Sequence, residues 1–303
     1  MTVTDVPVIP ADWLAWISRL PAEGGPSGAA WAQVAQRLLS EAFERWDLVP
    51  DGPLRTGWTA VVAPVRRDGQ PLALKVVRRS VDTDGEPVAL RHWAGDGSVR
   101  LVAALPSEGM LLLERLDPQV DLRTLDADTG CEVIGGLLSR LHVPAPPTVD
   151  PLSTWAAEWL AEAARRDALP RRMVARALGL HRELTSDPDC DATLVHGDLH
   201  YENVLAGDRE PWLAIDPQPK AGHPGWDLHA VLRNRRDELG TGAAFRWSVR
   251  RRTDILCDAA GMDEEAARRW TILRCAIEAV WALDDDNADE VSFSIALAKA
   301  LDD

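Results

Sequence analysis

The chain of 303 residues is long enough for two domains at roughly 150 residues each, and its 46% hydrophobic and 27% charged residues exclude a disordered or collagen-like polypeptide. A net charge of −15 repels phosphate backbones and anionic lipid, which argues against nucleic-acid and membrane-surface partners. The same field draws cationic small molecules towards an acidic site.

The opening residues carry Asp5 and Asp12, and the first basic residue is Arg19, so no secretory signal is expected. No apolar run reaches the about 20 residues of a bilayer span. Residues 27–46 place Trp31, Val34, Ala35, Leu38, Leu39, Ala42, Phe43 and Trp46 on one stripe of an amphipathic helix. From Leu54 to Val77 the texture becomes β-branched and alternating, which predicts two strands joined by a hairpin at Asp68-Gly69. Pro87 to Ala94 reads as helix, and Val99–Leu105 and Met110–Glu114 as two strands turning at Ser107-Glu108-Gly109. Beyond Leu116 the pattern is helical, with a break at Pro144, Pro146 and Pro147. A strand, loop and strand at Thr193–Asp216 interrupt it before helices resume through Trp270 and Trp281. Cys131, Cys190, Cys257 and Cys275 form no C-x-x-C pair; they read as reduced thiols of a cytoplasmic protein, not as a zinc ribbon or disulfide framework. Tryptophan supplies 13 aromatic residues against three Phe and one Tyr, a bias that the sequence leaves without a functional account.

The chemistry concentrates in Leu194-Val195-His196-Gly197-Asp198-Leu199-His200-Tyr201-Glu202-Asn203-Val204-Leu205, followed by Trp212-Leu213-Ala214-Ile215-Asp216-Pro217. Phosphoryl transfer needs a carboxylate that orients an attacking hydroxyl and accepts its proton, and oxygen ligands that hold Mg²⁺ on the nucleotide phosphates. Asp198 fits the first role, and Asn203 with Asp216 the second. The spacing repeats the H-x-D-x-x-x-x-N loop of protein kinases, with His196 at its start and Asp216 in the place of the later metal-binding Asp. Upstream, Lys75 on an apolar strand resembles the lysine that meets the α- and β-phosphates, with Glu86 as its expected ion-pair partner and Asp82 and Asp84 as competitors. A lone strand lysine is usually a solvated edge residue; the order Lys, Glu, Asp, Asn, Asp is what gives Lys75 meaning.

These residues resemble the aminoglycoside phosphotransferases of the streptomycin 6-kinase and hydroxyurea phosphotransferase family. The similar stretches are Leu90–Leu101, Met110–Leu116, His196–Asn203, Glu210–Pro217 and Pro224–Leu228. The resemblance implies an α+β, bilobal, protein-kinase-like fold: an N-terminal helical extension at 1–50, a strand-rich nucleotide lobe at 51–116, and a mainly helical lobe at 117–303 that binds the acceptor. It implies ATP and Mg²⁺ as cofactors, a hinge at Glu114 to Leu116 whose backbone holds adenine, and Asp227 bracing the catalytic loop. Gly57-Trp58-Thr59 would cover the phosphates, although Gly57 is the only glycine there. The A-P-E element of protein kinases is missing after Asp216, and no protein-kinase activation segment fits before Trp226-Asp227.

Several blander readings compete. His196 and His200 have the i, i+4 spacing of a metal pair only on a helix, and Gly197 argues against a helix, so His196 is expected to be structural and His200 exposed or on the acceptor side. Asp216-Pro217 alone would be a strand-end turn. Arg246, Arg250, Arg251 and Arg252 read as a solvated helix face. Asp284, Asp285, Asp286, Asp289 and Glu290, after a helix ending near Trp281, are by default a hydrated helix end; the resemblance makes Asp284 and Asp285 candidates for pairing with a cationic acceptor. The expected activity is ATP-dependent phosphorylation of a streptomycin-type hydroxyl, with another small-molecule acceptor such as hydroxyurea or a sugar as the alternative, and a non-catalytic nucleotide-binding module as the lesser one.

Overall fold

The computed structural model describes residues 6–302, so Asp5 lies outside the described residues. The chain divides into two compact units, one of residues 1–118 with 206–213 and one of 119–205 with 214–303.

The first unit opens with helix α1 (Ala11–Ile17) and the amphipathic α2 (Gly28–Arg45). Ser27 caps α2 by accepting from the amide of Ala30. Then come β1 (Val49–Pro50), β2 (Arg55–Thr56), β3 (Ala60–Arg67) and β4 (Gln70–Val77). The expected hairpin is present, and Asp68 and Gly69 both have positive φ, the conformation that matches the right-handed twist of the strands. The stretch 54–77 holds three strands where two were expected, because Arg55–Thr56 folds back on Val61–Val62 as a short extra partner of β3. Helix α3 (Glu86–Trp93) follows, then β5 (Leu101–Leu105) and β6 (Met110–Glu114). The sheet runs β1-β3-β4-β6-β5, with β2 on β3, and places Lys75 opposite Val62 on one side and Leu111 on the other. The buried stripe of α2, with Trp31, Leu38, Leu39 and Phe43, packs with Val61, Leu72, Leu74 and Val76 of this sheet in one core.

The chain then passes through β7 (Asp117–Asp121) into the second unit: α4 (Ala127–Leu141), α5 (Leu152–Ala163), α6 (Arg171–Leu184) and β8 (Thr193–Val195). β9 (Val204–Ala206) and β10 (Leu213–Ala214) lie beside β7 in the order β10-β9-β7. β11 (Lys220–Gly222), α7 (Leu228–Leu232), α8 (Ala243–Ala260), α9 (Glu264–Asp284) and α10 (Ala288–Leu301) complete it. α9 is the central helix of this unit: its Trp270, Leu273, Ala276 and Ile277 share a core with Leu152, Ala156 and Leu160 of α5 and with Trp226. The acidic run is not a simple hydrated end. α9 extends three residues past Trp281 to Asp284, and Asp289 and Glu290 occupy the first turn of α10, where carboxylates complement the helix dipole. All four cysteines are buried and free. No helix among the described residues is long and apolar enough to cross a membrane.

Candidate active site

The second unit builds a tight loop after β8. β8 pairs antiparallel with β11, Val195 opposite Lys220, and the amide of Gln218 donates to the His196 carbonyl at 2.9 Å. Gly197 has φ +83, and a Cβ there would lie 2.1 Å from the Gln218 carbonyl oxygen, so only glycine fits. Asp227, fully buried, accepts from the amides of His196 at 3.0 Å and Gly197 at 2.7 Å, and meets His142 Nε2 at 2.9 Å. It joins the loop to α4, the helix that His142 caps. His196 is buried; its Nε2 donates to the Ile215 carbonyl at 3.1 Å while its Nδ1 accepts from the Asp198 amide at 3.3 Å. Those partners fix a neutral imidazole, and burial pushes its pKa down to about 4.

This frame presents Asp198, partly buried, beside Asn203. Asn203 Nδ2 donates to the Asp198 carbonyl at 2.8 Å and lies 3.4 Å from Asp198 Oδ2, which turns the amide oxygen of Asn203 away from Asp198. The amide of Ile215 donates to the Asn203 carbonyl at 2.9 Å, fixing the strand exit just before Asp216 against Asn203. Asp216 is in the left-handed region with φ +57, a conformation that Asp tolerates better than most residues. Burial raises Asp198 to about 7; Arg233 and Arg274 oppose that shift, and Asp216 and Glu278 add to it. Asp198, Asn203 and Asp216 are thus neighbours, as the spacing suggested. His200 Nε2 is 3.8 Å from Asp198 Oδ2, and burial pushes His200 down to about 4, so at neutral pH this contact is not an ion pair. His200 also caps the turn Tyr201–Asn203 by accepting from the Glu202 amide. His200 is thus half-buried and not exposed as one reading of the sequence had it; we propose that it lies on the acceptor side of Asp198.

Four polar residues near Asp198 were not singled out from sequence. Gln218 Nε2 lies 3.5 Å from Asp198 Oδ2. Glu278, in the middle of α9, receives Arg274 Nε at 2.9 Å and Arg233 Nη1 at 3.2 Å. Burial alone would raise Glu278, but His229, Arg274 and Arg233 outweigh it and hold the carboxyl down near about 2. His229 is itself pushed down to about 3, mainly by burial, so at neutral pH the two guanidiniums carry the pairing. Nothing in the local sequence marks this cluster, because its members come from α7, its C-terminal cap and α9 and meet only in the fold.

In the first unit Lys75 Nζ lies 2.6 Å from Glu86 Oε2, and the two residues are 6% and 1% exposed. Glu86 is the first residue of α3, where its charge also suits the helix dipole. The competitor Asp84 is held by Arg79 at 2.7 Å. Glu114, at the end of β6, binds Arg209 through both oxygens at 3.1 Å and accepts from the Arg100 amide at 3.1 Å. Its side chain is therefore committed to structure. Leu116 is buried, close to Gly207, where a Cβ would stand 2.9 Å from Leu116 Cδ2. Gly57 sits in the turn between β2 and β3, its amide donating to the Ala60 carbonyl at 2.8 Å.

The donor set suits magnesium. Among the described residues there is no group of three or more His, Cys, Asp or Glu side chains that could hold a metal ion. A carboxylate and an amide oxygen match Mg²⁺, which keeps few protein ligands and completes its shell with phosphate and water. Asp284 is tied to Arg166 at 2.7 Å. Asp285 is exposed and caps α9. No contact joins either residue to Asp198.

The sequence model of the aminoglycoside/hydroxyurea antibiotic resistance kinases matches residues 45–286. The chain belongs to this family. It is 38% identical over 285 residues to a streptomycin 6-kinase of Streptomyces glaucescens, covering 91% of this chain and 92% of that one. It is 40% identical over 313 residues to a hydroxyurea phosphotransferase of Kitasatospora aureofaciens, covering 95% and 88%. Among solved structures, a choline/ethanolamine kinase family protein from Mesorhizobium loti superposes with a TM-score of 0.59 at 19% identity, covering 87% of this chain and 94% of that one. An aminoglycoside phosphotransferase crystallised with ADP and hygromycin B gives 0.56 at 15% identity, over 86% and 96%. At such identities these structures speak to the fold, and they establish the kinase-like α+β architecture of this enzyme.

Proposed function

We propose that the enzyme is a cytoplasmic kinase that moves the γ-phosphoryl group of ATP to a hydroxyl of streptomycin or a similar cationic aminocyclitol. The observation that carries this reading is Asp198 held beside Asn203 on a loop whose amides are clamped by Asp227; the relatives named as streptomycin 6-kinases supply the acceptor. Asp198 orients the attacking hydroxyl and accepts its proton, a task suited to a base whose proton affinity lies near the working pH. Asn203 and Asp216 are the residues that would hold Mg²⁺, whose positive charge, when bound, offsets charge on the phosphate oxygens. Lys75, oriented by Glu86, meets the α- and β-phosphates, the backbone at 114–116 holds adenine, and the turn at Gly57 covers the phosphates. His196 and Asp227 support the loop.

A coupled ADP-release assay over streptomycin, other aminoglycosides, hydroxyurea and simple sugars tests the acceptor. Turnover confined to hydroxyurea would select the second reading, which the relative named as a hydroxyurea phosphotransferase supports. Asp284 and Asp285 are proposed to face the acceptor's cationic groups. Replacing each by Asn is expected to raise KM for streptomycin about threefold to tenfold, the range of a weak to moderate charged contact, and to leave KM for ATP unchanged. Equal changes in both constants would remove these residues from the acceptor site.

A further inference from the structure

Part of the tryptophan excess gathers at one place in the first unit. Trp13 Nε1 of α1 donates to the Gly57 carbonyl at 2.9 Å. Trp16, on the same helix, meets Trp58 edge to face with ring centroids 4.7 Å apart. Trp58 is 73% exposed and stands at the tip of the turn between β2 and β3, where no core packing calls for an aromatic. Behind these rings Trp13 packs at 5.8 Å on Trp31 of α2, whose ring belongs to the core of the unit.

The far end of α1 is also tied down. Arg78, just past β4, donates from Nη1 to the carbonyls of Pro21 at 3.0 Å and Pro26 at 3.1 Å, and from Nη2 to Glu23 at 2.7 Å. Its own amide donates to the Thr59 carbonyl at 2.8 Å. One residue thereby anchors both the α1–α2 connection and the turn. The turn itself does not rely on glycine: Gly57 has no positive φ, and a Cβ there would find only the Ala60 carbonyl oxygen, at 3.7 Å.

We propose that α1 is a clasp that fixes the Gly57-Trp58-Thr59 turn over the nucleotide phosphates, with Trp13 and Trp16 as positioning residues for ATP. This rests on the reading of that turn given under Proposed function. A glycine-rich loop adapts to phosphates through backbone freedom and loses entropy when it orders. Here the turn is held in place beforehand by an indole hydrogen bond and a ring pair, so less ordering remains for the nucleotide to impose.

The test compares ATP with adenosine, because the clasp acts on phosphates and not on the base. Trp13→Phe removes the N–H and keeps most of the ring packing; Trp16→Leu removes the ring pair. Binding is measured by calorimetry with Mg²⁺ present, and Trp247→Leu, an exposed position on α8, serves as the control. Each clasp variant is expected to weaken ATP about threefold to tenfold, the range for one net hydrogen bond or one aromatic pair, with adenosine affinity unchanged. A variant destabilised as a whole would lose binding-competent protein without this split, so an equal loss for both ligands overturns the clasp. ATP affinity equal to wild type in Trp13→Phe, the near-isosteric variant, overturns it as well. If the wild type binds ATP no better than adenosine, the reading of the turn falls and the clasp with it; if ATP is preferred and both variants match the wild type, the clasp alone falls.

Discussion

Asp198→Ala is expected to lower kcat by at least about 10²- to 10⁴-fold, the usual cost of losing a general base, while ATP affinity stays near that of the wild type. The fold gives a sharper form of this expectation. The Asp198 carboxylate makes long contacts, to Asn203 Nδ2 at 3.4 Å, Gln218 Nε2 at 3.5 Å and His200 Nε2 at 3.8 Å, and burial raises its proton affinity. An acid whose folded pKa lies above its unfolded value of about 3.9 detracts from stability at neutral pH, since ionising it is easier in the unfolded chain. The variant should therefore melt at the same temperature as the wild type or higher when both are measured without ligands. Loss of turnover with retained or increased Tm separates a chemical role from a structural one. Near-normal turnover would remove Asp198 from the mechanism, and a large drop in Tm would show that it holds the loop.

Asp227→Ala is expected to do the reverse, with stability falling first. The buried carboxylate serves the amides of His196 and Gly197 and meets His142; alanine would leave three buried polar groups without it. Breaking such a buried arrangement from one side costs about 3–5 kcal/mol. Activity should fall as well, because the same amides set the direction of the loop that carries Asp198. Burial by itself would raise the pKa of Asp227, but the hydrogen bond and charge of His142 and the amide of Gly197 outweigh it and leave the pKa below the ordinary value. Its contribution is then complete above the unfolded carboxylate pKa of about 3.9 and is lost as pH falls through the lower folded value. Urea unfolding across this range should show wild type and variant far apart at neutral pH and converging in acid. A constant gap, or none at neutral pH, would contradict the bracing role.

The catalytic segment was legible in sequence because its parts are close in the chain: Asp198 and Asn203 sit five residues apart on one loop, and Asp216 lies just past β10. The ion pair of Lys75 and Glu86 was legible for a different reason. Asp82 and Asp84 lie in the turns before α3, whereas Glu86 is its first helical residue, so the helix start selects the partner. Asp227 as a brace came only from family resemblance, since nothing in Gly225-Trp226-Asp227 announces that its carboxylate reaches back thirty-one residues to the amide of His196. The cluster of Arg233, Arg274 and Glu278 had no local signal. The helical texture beyond Leu116 did not mark α6 as an element of its own, because its buried face is only Val174, Ala177 and Leu180. The C-terminal boundary of α9 was misplaced because a run of Asp suggests a helix end, whereas thirteen buried residues along that helix stabilise it through Asp284.

The account stands on Asn203 and Asp216 acting together as oxygen ligands beside Asp198. Manganese, which takes similar oxygen ligands and is counted directly by its electron spin resonance signal, tests this in the presence of ATP and independently of any acceptor. Asn203→Ala and Asp216→Ala should each weaken Mn²⁺ binding to the ATP-loaded protein by at least about tenfold, whereas Asp284→Asn should bind it as the wild type does. If both Asn203→Ala and Asp216→Ala held Mn²⁺ as tightly as the wild type, the metal would have to sit elsewhere and the proposed arrangement around Asp198 would be wrong.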